Sequence, residues 1–305
     1  MIDFIGDIHG HYDHLVALLK KLGYTQKNGV YKHPSRRVIF LGDYLDRGPD
    51  ARGVVRLVRS MVEAGEAEAL IGNHELNTLC FWTPKESGGY LRDHSINKIL
   101  IHTETLRSYQ HHDAEFFEML QFLYTLPLYI ETDQFRAQHA CFNTSLVDVL
   151  KKENIKSIQN EEILKRMIDK KDPLCAPVDS LLKGPEMALP KGITYEDSEG
   201  VIRNRTRICW WINPASVSSK ELFLQSEGDI PEVSIPEEIR RRNYYHESER
   251  PVFFGHYWFT GDVQIIKPNV CCLDYSVASY KKNGKLVAYR FDGESTLTNE
   301  HFVYV

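Results

Sequence analysis

Three short apolar runs open the chain, and each breaks off at a glycine followed by an aspartate or asparagine. Ile2-Asp3-Phe4-Ile5 stops at Gly6-Asp7, Val38-Ile39-Phe40-Leu41 at Gly42-Asp43, and Ala69-Leu70-Ile71 at Gly72-Asn73. Stripes with helical spacing lie between them. Leu15, Leu18, Leu19 and Leu22 recur at i, i+3, i+4 and i+7, with Gly23 placed to cap the end. Val54, Leu57, Val58, Met61 and Val62 give a second stripe. Strands alternating with helices predict an α/β fold with a largely parallel sheet. Ligands bind such sheets beyond the carboxyl ends of the strands, where all three breaks fall.

The middle is less regular. Phe116, Phe117, Leu120 and Leu123 predict a helix ending before Pro127, and Leu128 to Ile130 and Phe135 to Gln138 predict two strands. Residues 145–250 show no clear strand repeat. Leu146 to Met167 mixes charged and apolar positions in a way that suits helix, and prolines from Pro173 to Pro236 punctuate the rest. This segment reads as an irregular, partly helical cap inserted into a single catalytic domain spanning 1–305. Near the end, Val263 to Ile266, Val270 to Leu273, Val277 to Tyr280 and Lys285 to Phe291 predict short antiparallel strands of a second sheet. Asn283-Gly284 supplies a hairpin signal.

Composition narrows the class. Hydrophobic residues make up 42% and charged residues 26% of 305, as in a globular protein. A formal net charge of -5 gives no general attraction to nucleic acid or anionic membranes. The six cysteines form no C-x-x-C pair, so they read as thiols in a reducing compartment. No apolar stretch nears the ~20 residues that span a bilayer. The first strand begins at once, without room for an export signal. A cytoplasmic protein with no membrane or nucleic-acid partner is the expectation.

The chemistry sits at the strand ends. Asp7 and His9 are two apart, Asp43 ends the second run and Asn73 the third, while His139 and His256 follow apolar runs far downstream. Carboxylate, amide and imidazole ligands together suit manganese, iron or zinc. Asp7, His9 and Asp43 are expected to hold one ion, and Asp43, Asn73, His139 and His256 the other. Two ions sharing Asp43 clamp both sides of a phosphoryl transfer, and they lower the pKa of bound water enough to make a hydroxide nucleophile. His74 is then placed to protonate the leaving oxygen, Asp46 to orient His74, and Arg47 to offer its planar fork to phosphate. His11, His14, His102, His111 and His112 lack such context and read as surface residues.

The blocks Asp7-x-His9, Gly42-Asp43-Tyr44-Leu45-Asp46-Arg47-Gly48 and Gly72-Asn73-His74-Glu75 resemble the signatures of the phosphoprotein phosphatase family of calcineurin-like metallophosphoesterases. The resemblance implies two mixed β-sheets packed as a sandwich, flanked by helices, with the metals at one edge. It assigns the same roles to the same residues. His139-Ala140, in place of His-Gly-Gly, resembles the bacterial branch that includes diadenosine tetraphosphate hydrolases. The family's second phosphate arginine has no clean match. Arg205 and Arg207 share parity along a strand and are the candidates.

The expected enzyme is a dinuclear, manganese-first phosphoesterase that attacks phosphomonoesters in line, on a phosphoprotein or a small molecule. The alternative is a symmetrical diadenosine tetraphosphate hydrolase, with Trp210, Trp211, Tyr257 and Trp258 available to stack on adenine. A catalytically inactive binding module is the minor alternative. It should lack a ligand or the acid, and none is missing.

Overall fold

The computed structural model describes residues 1–305 apart from 197–199, 225–228 and 280–282. The first predicted unit forms as expected. β1 (Ile2–Ile5), α1 (Tyr12–Lys21), β2 (Arg37–Phe40), α2 (Ala51–Glu63) and β3 (Ala67–Ala69) follow in order, and β1, β2 and β3 pair in parallel. A helix α3 (Asn73–Trp82) starts on the third break, and α4 (Ile96–Ser108) and α5 (Asp113–Thr125) come next. The two expected strands form as β4 (Tyr129–Glu131) and β5 (Arg136–Gln138), and they pair antiparallel.

Three helices, α6 (Thr144–Lys152), α7 (Glu161–Ile168) and α8 (Cys175–Lys183), open the long segment between His139 and His256. The strand expected around Arg205 and Arg207 forms as Arg205–Arg207 and pairs with Glu186–Ala188, while the sequence pattern misses that partner and the pair of Tyr195–Glu196 with Ile202–Arg203. These are only two or three residues long, too short for alternation to register. Met187, Tyr195, Ile208, Leu222 and Ile239 give the segment a small apolar cluster of its own.

The C-terminal region departs from expectation in pairing. β6 (Val252–Phe254) and β7 (Val270–Cys272) are parallel, with β6 also parallel to β5. β8 (Asp274–Tyr275), β9 (Lys285–Phe291) and β10 (Phe302–Tyr304) return to the first sheet, where β9 lies antiparallel to β1. Val263 to Ile266 form no strand, and Val277 and Ala278 form a turn, while Tyr280 lies outside the described residues. The result is two mixed sheets, ordered β8-β9-β1-β2-β3 with β10 on β9, and β7-β6-β5-β4.

The sheets face each other through Phe4, Ile39, Tyr289 and Phe291 on one side and Phe135, Ala137, Phe253 and Cys271 on the other. Phe4 stacks on Phe253 with ring centroids 3.8 Å apart and planes at 11°. Ile5, next along β1, points the other way into the helices with Leu15, Leu18, Val54 and Val58. Both faces are covered, which is why these strands read as continuous apolar runs. Phe253→Ala is expected to cost about 3–5 kcal/mol of stability, because the sandwich interior cannot collapse onto the lost ring. Urea unfolding checks this, and a loss below about 1 kcal/mol would contradict the packing.

Candidate active site

All the predicted ligands lie just beyond the strand ends. Asp7 and His9 follow β1, Asp43 follows β2, Asn73 opens α3 after β3, His139 follows β5 and His256 follows β6. The backbone there is unusual. His9, Asp43, Asp46, Arg47, His256 and Trp258 all have positive φ, between 45° and 67°. Non-glycine residues in this region cost of order 1–3 kcal/mol each and persist only where the surroundings over-determine them.

Glu75 supplies much of that over-determination, and sequence reasoning gives it no role. It is fully buried, and its carboxylate accepts four backbone N–H groups. Asp43 (2.8 Å) and Gly72 (2.9 Å) donate to Oε2, and Tyr44 (2.9 Å) and Leu45 (3.2 Å) to Oε1. One carboxylate thus fastens the second block to the third. Glycine at position 72 is required by this closeness, since a Cβ there would stand 2.2 Å from Asp43 Oδ1. Glu75→Gln replaces two acceptor positions by N–H groups facing other N–H groups. It is expected to cost at least about 3 kcal/mol, from two lost charge-assisted bonds. A thermal unfolding midpoint within about 2 °C of wild type would refute this.

The side chains converge. Asp43 Oδ2 lies 3.4 Å from His139 Nε2, 3.6 Å from His9 Nε2 and 4.0 Å from His74 Nε2. Asn73 Oδ1 lies 2.7 Å from His256 Nδ1 and 3.0 Å from His139 Nε2. Two groups of potential ligand atoms form, His9–Asp43–His74 and Asp43–His139–His256, each within 4.8 Å, and Asp43 belongs to both. Carbonyl oxygens behind the rings fix their tautomers: Leu45 O accepts from His9 Nδ1 (2.9 Å) and Leu41 O from His139 Nδ1 (2.8 Å). Each ring then turns Nε2 toward Asp43, the arrangement seen where imidazoles bind metals. Asp7 sits behind this cluster, accepting the His256 amide at 3.1 Å and 3.3 Å, and joins neither group.

Electrostatics follow from burial and from Asp43. Burial holds the His9 imidazole down at about 3, so the ring is neutral. Burial also pulls on His139, but the Asp43 charge and hydrogen bond outweigh it and push it up to about 10. Burial pulls on Asp43 too, yet the His139 and His74 rings hold it well below the usual carboxylate range. Asp7 is pushed up by burial and by the neighbouring Asp274 charge.

His74 Nδ1 is 2.6 Å from Asp46 Oδ2, which leaves Nε2 directed at the ligand cluster. Two residues read as surface are in fact buried here. His102 Nδ1 lies 2.9 Å from Asp46 Oδ1, and the Thr105 hydroxyl donates to the same oxygen at 2.6 Å. His11 is also buried, ring to ring with His14 at 5.3 Å. Arg47 stacks on Trp258, its Cζ 4.0 Å from the ring centroid. Asp274, another residue without a sequence signal, accepts the Trp258 amide at 2.8 Å and so holds the turn carrying that ring. Arg207 reaches the site, donating to the His256 carbonyl at 3.3 Å. Arg205 does not. It is 54% exposed and pairs with Glu186 at 3.0 Å. Trp211 and Tyr257 are packed in the core against Phe254 and are closed to a base.

The family model described as calcineurin-like phosphoesterase matches residues 1–169. Curated relatives match about a quarter of the chain. Asymmetrical bis(5'-nucleosyl)-tetraphosphatase PrpE of Halalkalibacterium halodurans is 51% identical over 73 residues, 24% of this chain and 30% of that protein. The same enzyme of Bacillus subtilis is 51% identical over the same shares. The chain thus spans less than a third of the length of these relatives. Among solved structures, a protein serine/threonine phosphatase from Saccharomyces cerevisiae superposes with a TM-score of 0.53 at 14% identity, covering 100% of this chain and 78% of the other. That likeness shows the shared fold.

Proposed function

The chain belongs to the calcineurin-like phosphoesterase family, and we propose that it is a metal-dependent hydrolase that cleaves a phosphoanhydride of a dinucleoside polyphosphate. The observation that carries the reaction class is Asp43, whose Oδ2 faces three imidazole nitrogens at 3.4–4.0 Å. The residues fit divalent ions. His9 Nε2 is fully buried and has no hydrogen-bond partner among the described residues, so its lone pair is kept for something the protein itself does not supply. Asp7, His9 and Asp43 would hold one ion, with Asp7 lying outside the two spatial groups, and Asp43, Asn73, His139 and His256 would hold the other. Manganese is the first choice for a mixed oxygen and nitrogen set. When bound, such ions supply Lewis acidity and an activated water nucleophile.

The chain's own residues do the rest. Arg47, braced by Trp258, and Arg207, braced on the His256 carbonyl, bind phosphate oxygens from two sides. His74 donates a proton from Nε2 to the leaving oxygen. Burial alone would pull its pKa down, but Asp43 and Asp46 carry it above the ordinary value, which favours the acid form.

The substrate assignment rests on the tetraphosphatase relatives and on space for a nucleoside. A cavity of about 920 Å³ lies in the 145–250 segment, lined by Phe142, Gly184, Arg205, Trp210, Arg242 and Tyr244. Its lining includes Arg205, two residues from Arg207 in the chain, and Gly184, which abuts the Tyr257 hydroxyl. In this reading the segment is the cap of a single domain.

Assays with manganese on diadenosine tetraphosphate, a phosphoserine peptide and p-nitrophenyl phosphate decide. The dinucleotide should give the highest kcat/KM, with ATP and AMP for an asymmetrical cut or ADP alone for a symmetrical one. Preference for the phosphopeptide would instead establish the monoester reading. Arg207→Ala is expected to raise KM about tenfold for the dinucleotide, one charge-assisted contact, with metal content intact. Arg205→Ala should change KM on the small monoester little. A larger effect of Arg205→Ala there would refute the placement of the two arginines.

A further inference from the structure

Asp46 receives more donors than an orienting carboxylate needs, and two come from α4. Thr105 Oγ1 accepts the Asp46 amide at 2.8 Å and donates to Asp46 Oδ1 at 2.6 Å, so its one proton is committed to the carboxylate. The same oxygen lies 2.9 Å from His102 Nδ1. Trp82 Nε1 points at the other ring nitrogen, His102 Nε2, at 3.4 Å. An indole N–H only donates, so His102 Nε2 accepts and Nδ1 carries the hydrogen. His102 and Thr105 lie one helical turn apart on the buried face of α4, at 4% and 0% exposure. Asp46 itself has φ of 65°, a conformation that needs external support.

We propose that His102 and Thr105 are positioning residues for acid catalysis. They clamp Asp46 Oδ1, leaving Oδ2 fixed to receive His74 Nδ1–H, and thereby aim His74 Nε2–H at the leaving oxygen. This rests on the acid role assigned to His74 above. In the step they serve, a hydroxide oxygen forms its bond to phosphorus as the P–O bond to the leaving group breaks, the leaving oxygen takes the Nε2 proton, and His74 becomes neutral with its Nδ1–H still on Asp46. Neither residue touches substrate. Their effect passes through Asp46.

The test uses two conservative pairs. His102→Asn keeps a donor where Nδ1 stood, and His102→Ala removes it. Thr105→Ser keeps the hydroxyl, and Thr105→Val removes it at nearly constant volume. Each variant is assayed on an alkyl phosphate and on p-nitrophenyl phosphate, with metal content and thermal unfolding recorded. His102→Ala and Thr105→Val should lose about 10–100-fold on the alkyl ester, the usual effect of removing a supporting partner. They should lose only a few-fold on p-nitrophenyl phosphate, whose leaving group needs no proton. The Asn and Ser variants should recover most of the loss. Equal losses on both substrates, or no recovery, would overturn the proposal. His74→Asn run in parallel separates the two ideas. If it shows the leaving-group difference and the α4 variants do not, only the clamp fails. If His74→Asn shows none, the acid role fails and takes the clamp with it. Should His102→Ala not fold, the Thr105 pair decides between these outcomes.

Discussion

Asp43→Asn is expected to abolish hydrolysis, with a loss of about 10³-fold or more on every substrate. The reason is the shared position of Asp43. Its carboxylate belongs to both ligand groups, and among the described residues no other does. It is also the negative charge that several imidazoles face at 3.4–4.0 Å. Asparagine keeps the shape but loses the charge and offers only one oxygen, so both proposed ion sites weaken together. Lewis-acid stabilisation by a bound ion is worth several kcal/mol, and about 4 kcal/mol is 10³ in rate. Elemental analysis of the folded variant should show fewer than one ion per chain against two in wild type. Two tightly bound ions in Asp43→Asn would sink the shared-ligand assignment, whatever the activity.

His74→Asn should behave differently. Metal content is expected to stay at the wild-type value, because Nδ1 of His74 is engaged by Asp46 at 2.6 Å and its Nε2 lies farther from Asp43 than those of His9 and His139. The rate should fall by about 10²–10⁴, the contribution of a positioned acid. The fall should be steepest for an alkyl phosphate and shallowest for p-nitrophenyl phosphate. Loss of one ion on replacing His74 would make it a ligand, as its grouping with His9 and Asp43 allows in space. The acid assignment would then be wrong.

The reading of Arg205 and Arg207 shows how sequence and structure divide the work. Shared parity in a strand puts both on one face, and the strand exists. Parity alone carries no information on what lies at each end of the strand. Arg207 meets the His256 carbonyl, and Arg205 meets Glu186. The case of α4 is sharper. Its apolar residues Ile96, Ile99 and Leu100 face solvent, while His102 and Thr105 face inward. Hydrophobic patterning assumes the reverse, so the helix carries no signal and patterning puts His102 on the surface.

What the sequence determined by itself was the local grammar. Apolar runs buried on both faces made β1, β2 and β3, helical stripes made α1 and α2, and the Gly-Asp and Gly-Asn breaks set the ligand blocks at the strand ends. These follow from nearest neighbours in the chain and from burial, which a linear pattern records. Only the tertiary structure decided the pairings that cross it. It placed β9 beside β1 and made β7 parallel to β6, where turn chemistry at Asn283-Gly284 suggests antiparallel strands throughout the C-terminal region. It joined Glu75 to four amides of two separate blocks, and brought His102 and Thr105 to Asp46 across more than fifty residues. Such long-range bonds satisfy buried polar groups wherever folding brings them together. Their partners are set by packing in space, so no spacing along the chain reveals them.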